Sequence, residues 1–212
     1  MRAIANAANL IRSLVEKEEE REEASGGFLP YRVRKKTISL ISEAGKILDI
    51  GCGEGLLLNK INYPNKSVYG IDPWELVLKK AQKRSSAALF LGNAKFLPFK
   101  SNNFDEVSIL NLLYNLPNKS AMRIILREAL RVCKRGGRIL FDYRNRTNPL
   151  IWFGYRTISL HDPDITIPVN AYMRKEIYNL LRSLGVTKIK YYSIPKWWII
   201  NSPTYLVEAY NI

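Results

Sequence analysis

The stretch Ile47-Leu48-Asp49-Ile50-Gly51-Cys52-Gly53-Glu54-Gly55 decides the fold of this chain. It begins as a short apolar, β-branched run between Gly45 and Gly51, which is typical of a buried central strand in a parallel sheet. Three glycines at alternate positions then allow a tight turn and let a ligand lie against bare backbone amides. The leucine-rich residues that follow predict a helix over 56–61, whose N-terminus would favour an anionic group. The G-x-G-x-G spacing argues against the G-x-G-x-x-G turn of NAD enzymes.

A second buried strand is predicted over residues 68–72, and it ends in Asp72. An acidic residue at the end of the second strand of such a unit can accept hydrogen bonds from both hydroxyls of a ribose. The glycine turn and Asp72 together therefore predict a nucleoside-binding site at the carboxyl ends of two strands of a parallel sheet.

In these features the sequence resembles the class I S-adenosylmethionine-dependent methyltransferases, from about Tyr31 to the C-terminus. Five motifs in family order carry the resemblance, at residues 49–55, 70–72, 92–94, 104–107 and 127–137. The resemblance implies an α/β, Rossmann-like three-layer sandwich whose seven-stranded sheet has the order 3-2-1-4-5-7-6, with only strand 7 antiparallel. It also implies one domain over 1–212, made of an N-terminal helical lid (1–44), a cofactor-binding core (45–142), and a substrate insertion with C-terminal strands (143–212).

Composition narrows the classes of protein that fit. A length of 212 residues favours one domain with a substantial core. No apolar run reaches the length of a membrane-spanning helix, and the N-terminus lacks the layout of a signal peptide. The two cysteines, Cys52 and Cys133, give neither a disulfide framework nor metal-ligand spacing, and His161 is the only histidine. We therefore expect a cytoplasmic protein without a metal.

The net charge of +14 is unevenly distributed. Residues 1–25 hold four basic and six acidic side chains, so the excess of positive charge lies in residues 26–212. A basic surface of this kind indicates an anionic partner such as RNA, or else a solubilising surface. Composition leaves both alternatives open, and it leaves the oligomeric state open as well.

Periodicity and turn residues predict the remaining elements. We expect helices over 2–24, 31–44, 73–84, 119–133 and 172–184, and further strands over 87–91, 104–110, 138–142, 188–194 and 205–210. Residues 143–170 are rich in aromatic and arginine residues without periodicity, which is typical of an insertion that carries function. The helix over 31–44 carries a basic cluster of Arg32, Arg34, Lys35 and Lys36.

The resemblance implies S-adenosylmethionine as the cofactor and S-adenosylhomocysteine as the product. In many relatives the helix before the first strand closes over the cofactor, so we expect Tyr31 and Arg32 to approach its carboxylate. Asn93 stands where relatives carry an acidic residue that accepts from the adenine amino group, and Trp74 is expected to line the adenine pocket. The predicted cofactor-binding residues are Tyr31, Arg32, Asp49, Gly51, Cys52, Gly53, Asp72, Pro73, Trp74, Asn93, Ala94 and Asn111.

The loop after the fourth strand separates two kinds of substrate. Residues 111–114 stand where amino-methylating enzymes of nucleic acids and proteins carry Asn-Pro-Pro-Tyr, but both prolines are missing. Residues 113–117 instead resemble the Leu-His-His-Leu-Pro of the small-molecule branch, which includes ubiquinone and menaquinone methyltransferases. The substrate-side candidates are Tyr114, Asn115, Tyr143, Arg144 and His161, with Trp197 and Trp198 near the rim of the opening.

The resemblance therefore implies methyl transfer to an oxygen, nitrogen or carbon nucleophile of a small molecule. The alternatives are an RNA or protein methyltransferase and a non-catalytic S-adenosylmethionine-binding protein. Because the leaving group of a sulfonium is already activated, the absence of a catalytic triad from the sequence fits such a reaction.

Overall fold

The computed structural model describes residues 27–153, 170–195 and 201–211. The helix predicted over 2–24, most of the insertion, and Trp197 and Trp198 lie outside these ranges.

Two single turns of 3₁₀ helix occupy Leu58–Lys60 and Leu113–Asn115. The main elements are α1 (Phe28–Ile38), β1 (Gly45–Ile50), β2 (Lys66–Asp72), α2 (Glu75–Arg84), β3 (Ala88–Leu91), β4 (Phe104–Ile109), α3 (Lys119–Val132), β5 (Cys133–Asn145), β6 (Ala171–Tyr172), α4 (Arg174–Ser183), β7 (Ile189–Ile194) and β8 (Thr204–Tyr210).

The sheet has the order β3-β2-β1-β4-β5-β8-β7, which confirms the predicted topology. Strand β8 runs antiparallel to both β5 and β7, and the other pairs are parallel. The two-residue strand β6, which was not predicted, adds a short parallel pairing to the end of β5. The strand order reverses between β1 and β4, and open parallel sheets bind ligands outside the carboxyl ends of the strands at such a point.

The core explains why β1 and α3 form where they do. Ile47, Leu48 and Ile50 of β1 are fully buried, as expected for a central strand covered on both faces. Helix α3 buries an apolar stripe at helical spacing, and its N-terminus is capped by Asn118, whose side chain accepts from the backbone N–H of Ala121 at 2.9 Å. Replacing the fully buried Leu126 of this stripe by alanine would cost about 2–5 kcal/mol.

The helix predicted over 56–61 is wrong, because the structure has only turns and the 3₁₀ turn Leu58–Lys60 there. Gly55 has φ +75°, and β2 already begins at Lys66. Pro64 additionally disfavours helical backbone at the residue before it. The chain therefore crosses from β1 to β2 through turns, and the glycine turn does not lead into a helix N-terminus.

Two boundaries around β5 also differ from the prediction. The strand begins at Cys133, directly after α3, and continues through the glycine pair to Asn145. Arg144 therefore belongs to a central strand and not to the irregular insertion. Its side chain is buried by the neighbouring elements.

A buried network of ion pairs lies among β2, β4, β5 and β8, and the sequence did not indicate it. Glu106 pairs with Lys66 at 2.6 Å and with Arg138, which also reaches Glu208 at 2.8 Å. Removing one partner from such a network leaves an uncompensated buried charge and typically costs about 3–5 kcal/mol. These charges tie together the strands on which the site is built.

Candidate cofactor and active site

The glycine turn after β1 is tied to the end of β2. The N–H groups of Gly51 and Cys52 both donate to the carbonyl of Ile71, at 2.8 and 3.1 Å. Gly51 has φ +74°, and a side chain there would meet Leu112 at 3.2 Å. Glycine at this position therefore supplies both the left-handed backbone and the space above the turn.

A cavity of about 330 Å³ lies beside the end of β2, where the sequence predicted the nucleoside. The Asp72 carboxylate there accepts from the N–H of Gly53 and from the N–H of Trp74, each at 3.0 Å. Asp72 is buried, and each carboxylate oxygen has a further lone pair. Its orientation is thus fixed by the backbone, and it can still accept from two hydroxyls. The cavity is also lined by Gly51, Pro73, Trp74, Gly92, Asn93, Ala94, Leu110 and Asn111.

Trp74 and Asn93 form part of the wall of this cavity, which we call the nucleoside-side cavity. Trp74 is 71% exposed, so its ring belongs to the wall of the opening and not to the core. The amide oxygen of Asn93 accepts from the N–H of Lys95 at 2.9 Å and keeps one lone pair. Both placements fit the predicted contact with adenine.

A second cavity of about 380 Å³ lies on the other side of the glycine turn. We call it the amino-acid-side cavity, because it lies where the methionine half of the implied cofactor would be placed. Gly51, Leu110 and Asn111 line both cavities, so the two adjoin at these residues. The other lining residues are Pro30, Arg34, Asp49, Cys52, Gly53, Glu54, Leu56, Leu57 and Tyr114.

Asp49 is the buried acid of the amino-acid-side cavity. Its pKa is raised to about 7, chiefly by burial, and the nearby Asp72 contributes to the rise. The hydroxyl of Ser108, which donates to Asp49 at 2.7 Å, and the cation of Arg34 both oppose that shift. The ionised form of a buried carboxylate with a raised pKa is stabilised when a cationic group binds beside it.

Helix α1 presents Arg34 to this cavity, whereas the sequence analysis expected Tyr31 and Arg32. Residues 30 and 34 are one helical turn apart and line the cavity together. Arg32 lines a different groove, between α1 and β7, and Tyr31 is buried in the hydrophobic core. Arg34 lies four residues after Pro30, which places both on the same side of the helix, and this spacing was the sequence signal that could have identified it.

The loop after β4 places Asn111 and Tyr114 at the amino-acid-side cavity. Asn111 has φ +57°, and its N–H donates to Asp142 at 2.6 Å. The hydroxyl of Tyr114 donates to the amide oxygen of Asn111 at 3.4 Å, and the guanidinium of Arg144 lies 4.3 Å from the centre of the Tyr114 ring. Asn115 is exposed and donates to the carbonyl of Asn111 at 3.1 Å.

Of the substrate-side candidates, Tyr114, Asn115 and Arg144 therefore gather at one loop. Tyr143 does not join them, because successive residues of a strand point to opposite faces. It is fully buried in the core and stacked on Tyr205, with ring centres 5.6 Å apart. His161 lies outside the described residues. Asp142, which holds Asn111, was not among the predicted site residues; its only sequence signal was an acid at the end of an apolar strand.

Residues 48–141 match the family described as "Methyltransferase domain". A curated relative, the demethylmenaquinone methyltransferase of Thermotoga maritima, is 35% identical over 112 residues, which cover 50% of this chain and 48% of the relative. The chain thus spans about half the length of that relative.

Two solved structures share the fold. One is an S-adenosylmethionine-dependent methyltransferase of Thermotoga maritima, described as a possible histamine N-methyltransferase, with a TM-score of 0.70 and 18% identity over 87% of this chain and 90% of its own. The other is the magnesium protoporphyrin IX methyltransferase of Synechocystis with bound S-adenosylhomocysteine, with a TM-score of 0.66 and 16% identity over 86% of this chain and 84% of its own.

Residues 48–141 thus match a methyltransferase domain, and the sheet has the fold of the S-adenosylmethionine-dependent methyltransferases to which it is similar. Within the part of the chain that the structure describes, no three His, Cys, Asp or Glu side chains are grouped as a metal site would need. In the same ranges, no helix has the length and apolarity needed to cross a membrane.

Proposed function

We propose that this chain binds S-adenosylmethionine and transfers its methyl group to an oxygen, nitrogen or carbon nucleophile of a small molecule. The observation that carries the proposal is the pair of adjoining cavities that meet at Gly51 and Asn111. One cavity holds an oriented acceptor, Asp72, and the other holds a buried acid beside a buried cation, Asp49 and Arg34.

The groups in the two cavities fit the two halves of the cofactor. Asp72 would accept from the ribose hydroxyls, and Asn93 would accept from the adenine amino group. Asp49 would hold the ammonium of the methionine half, and Arg34 would hold its carboxylate. The bare turn at Gly51 would let the cofactor pass between the two cavities, since a side chain there would close the gap to Leu112.

When bound, S-adenosylmethionine supplies a methyl group on an activated sulfonium. The chain would then need to orient the acceptor and to let its proton leave where it carries one. Tyr114 is the group that we assign to orientation. Burial raises the pKa of its hydroxyl, which therefore stays a proton donor at neutral pH, and the Arg144 guanidinium fixes its ring.

Two observations support a small molecule as the acceptor. The matched relative from Thermotoga maritima carries the name of a menaquinone-precursor methyltransferase. In addition, two arginines at the start of the segment that is rich in aromatic and arginine residues are engaged within the protein and not free for RNA, since Arg144 is buried and Arg146 pairs with Glu176 at 3.0 Å. The free, buried thiols of Cys52 and Cys133 support a reducing compartment, and we assign the protein to the cytoplasm.

Incubation of the full chain with methyl-labelled S-adenosylmethionine and a cell extract tests this proposal. We expect label in the small-molecule fraction, and much less label with the Asp72→Ala variant under the same conditions. Label in the RNA fraction would instead support an RNA methyltransferase. Binding of the cofactor without transfer to any fraction would support a non-catalytic binding protein.

A further inference from the structure

A basic groove separate from the two cofactor cavities lies between α1 and strand β7. Its volume is about 670 Å³, which exceeds that of either cofactor cavity. Strand β7 is the last strand of the sheet, so the groove follows the sheet edge. The residues that define it are Arg32, Lys35 and Lys36 from α1 and Tyr191, Tyr192 and Ser193 from β7.

Two of the cations in this groove, Arg32 and Lys36, are not neutralised within the described ranges. No acidic side chain lines the groove there, and neither Arg32 nor Lys36 has a described carboxylate partner. The Nε of Arg32 is buried, and no described group accepts its hydrogen bond. An unpaired buried donor is costly, so this atom is poised to bind an acceptor.

Aromatic rings hold the two cations without neutralising them. The Arg32 guanidinium lies 5.1 Å from the centre of the Phe28 ring, and the Lys36 ammonium lies 4.7 Å from the centre of the Tyr192 ring. Tyr192 is itself fixed, because its hydroxyl donates to Glu208 at 2.7 Å. Such contacts orient a cation while leaving its N–H donors available.

Arg32 and Lys36 stand one turn apart on α1, so both point to the same side of the helix. This side is opposite to the one that carries Pro30 and Arg34 to the amino-acid-side cavity. Helix α1 therefore contributes residues to both the amino-acid-side cavity and the basic groove. A change of charge at Arg32 or Lys36 can be tested separately from the cofactor cavities.

We infer that this groove binds the phosphate group of an organic phosphate ester, with Arg32 and Lys36 as its charge partners. A phosphate monoester carries a charge of about −1.5 to −2 at neutral pH and a diester carries a single negative charge, so Arg32 and Lys36 can pair with either, and the phosphate oxygens accept from guanidinium and ammonium groups. A space of this size, bordered by tyrosine rings, has room for the organic part of the ester as well. The ester is either a free small molecule or a lipid headgroup, and both present charged phosphate oxygens to the groove.

Binding measurements on the full chain test this inference with two probes. Phenyl phosphate, titrated calorimetrically, represents a free ester, and sedimentation with vesicles of phosphatidylglycerol or of phosphatidylcholine represents a headgroup. The test variant is Arg32→Gln with Lys36→Gln. The matched control is Lys79→Gln with Lys83→Gln on α2, which removes the same charge from an exposed face away from the groove.

We expect the groove variant to lose about tenfold or more of its affinity for at least one phosphate probe, because two charge-assisted contacts are removed, while the control changes less than about twofold. Phenyl phosphate binding identifies a free ester, and binding to phosphatidylglycerol vesicles alone identifies a headgroup. Circular dichroism and the thermal midpoint establish that each variant is folded, and Lys36→Gln alone replaces the double variant if it is not.

Three results would overturn the inference. Absence of binding to both probes at millimolar concentration would remove the site. Equal losses in the groove variant and the control would show that overall charge, and not the groove, holds the phosphate. RNA binding that depends on Arg32 and Lys36 while neither small probe binds would likewise replace the ester by a nucleic acid. None of these readouts depends on methyl transfer, so they stand apart from the proposed function.

Discussion

The carboxylate of Asp142 accepts a hydrogen bond of 2.6 Å from the backbone N–H of Asn111. Asn111 stands in the left-handed region at φ +57°, and it lines both cofactor cavities. Asp142 is fully buried at the neighbouring strand β5, and burial raises its pKa. A buried acid thus fixes the backbone of the residue at which the two cavities meet.

Replacing Asp142 tests this relationship. Asp142→Leu leaves the Asn111 N–H buried without an acceptor, whereas Asp142→Asn keeps an acceptor oxygen and serves as the matched control. Both variants also lose the buried ion pair of Asp142 with Arg144 at 3.6 Å, so the difference between them reports the hydrogen bond. Relative to Asp142→Asn, we expect Asp142→Leu to lower the free energy of unfolding by about 1–3 kcal/mol and to lower the affinity for S-adenosylhomocysteine as well. Chemical denaturation and calorimetric titration measure the two quantities. Identical behaviour of the two variants would show that the hydrogen bond does not hold the loop.

Asn93 tests recognition of the base. Its amide oxygen already accepts from the Lys95 N–H and has one lone pair left. Asn93→Asp supplies a charged acceptor of the same shape, so affinity for S-adenosylhomocysteine should be preserved or improved. Asn93→Leu should weaken binding, because it removes the acceptor. Equal affinities of all three proteins in a calorimetric titration would mean that another group contacts the adenine amino group.

Asp49 predicts an unusual dependence of stability on pH. Its pKa of about 7 in the folded protein lies above the ordinary value of about 3.9 for a solvated aspartate. The folded state therefore holds this proton more tightly than the unfolded state, and the contribution of Asp49 to stability falls as pH rises from about 4 to about 7. Asp49→Asn should consequently stabilise the free protein by about 1–3 kcal/mol at pH 8 and by little at pH 4.

The same substitution should weaken binding of S-adenosylhomocysteine, since the amide cannot pair with the ammonium. Thermal unfolding at the two pH values and a titration at pH 8 measure these effects. A variant that is less stable than the wild type at pH 8 would show that Asp49 is already satisfied as a carboxylate without the cofactor.

Two arginines of α1 form a matched pair. Arg34 is buried at the amino-acid-side cavity, whereas Arg32 lines the basic groove on the opposite side of the helix. Arg34→Gln should lower the affinity for S-adenosylhomocysteine by about tenfold, because one charge-assisted hydrogen bond to a carboxylate is weakened. Arg32→Gln, with the same change of charge, should leave it nearly unchanged. The opposite ranking in a calorimetric titration would return Arg32 to the cofactor site.

The sequence predicted those features that depend on local chemistry. The strand–glycine turn–strand unit and the acid at Asp72 follow from residue types and spacing, and the resemblance supplied the strand order. The helix predicted after Gly55 failed because local propensity is a weak guide that tertiary context overrides. The sequence pointed to Arg32 and did not single out Arg34, because basic residues on two sides of α1 conceal which side meets the cavity. Asp142 was missed because its partner, the Asn111 N–H, becomes its neighbour only through the pairing of β4 with β5.

The central claim is that one S-adenosylmethionine-type ligand occupies both adjoining cavities, with Asp72 as the acceptor for its ribose. Calorimetric titration of the full chain with S-adenosylhomocysteine, and in parallel with NAD, tests this claim most directly. We predict one S-adenosylhomocysteine site per chain, no comparable binding of NAD, and a loss of about 2–4 kcal/mol of binding free energy in Asp72→Ala, because two hydroxyls lose their acceptor. An unchanged affinity in Asp72→Ala, or binding of NAD as tight as that of S-adenosylhomocysteine, would contradict the assignment of the cofactor and of its site.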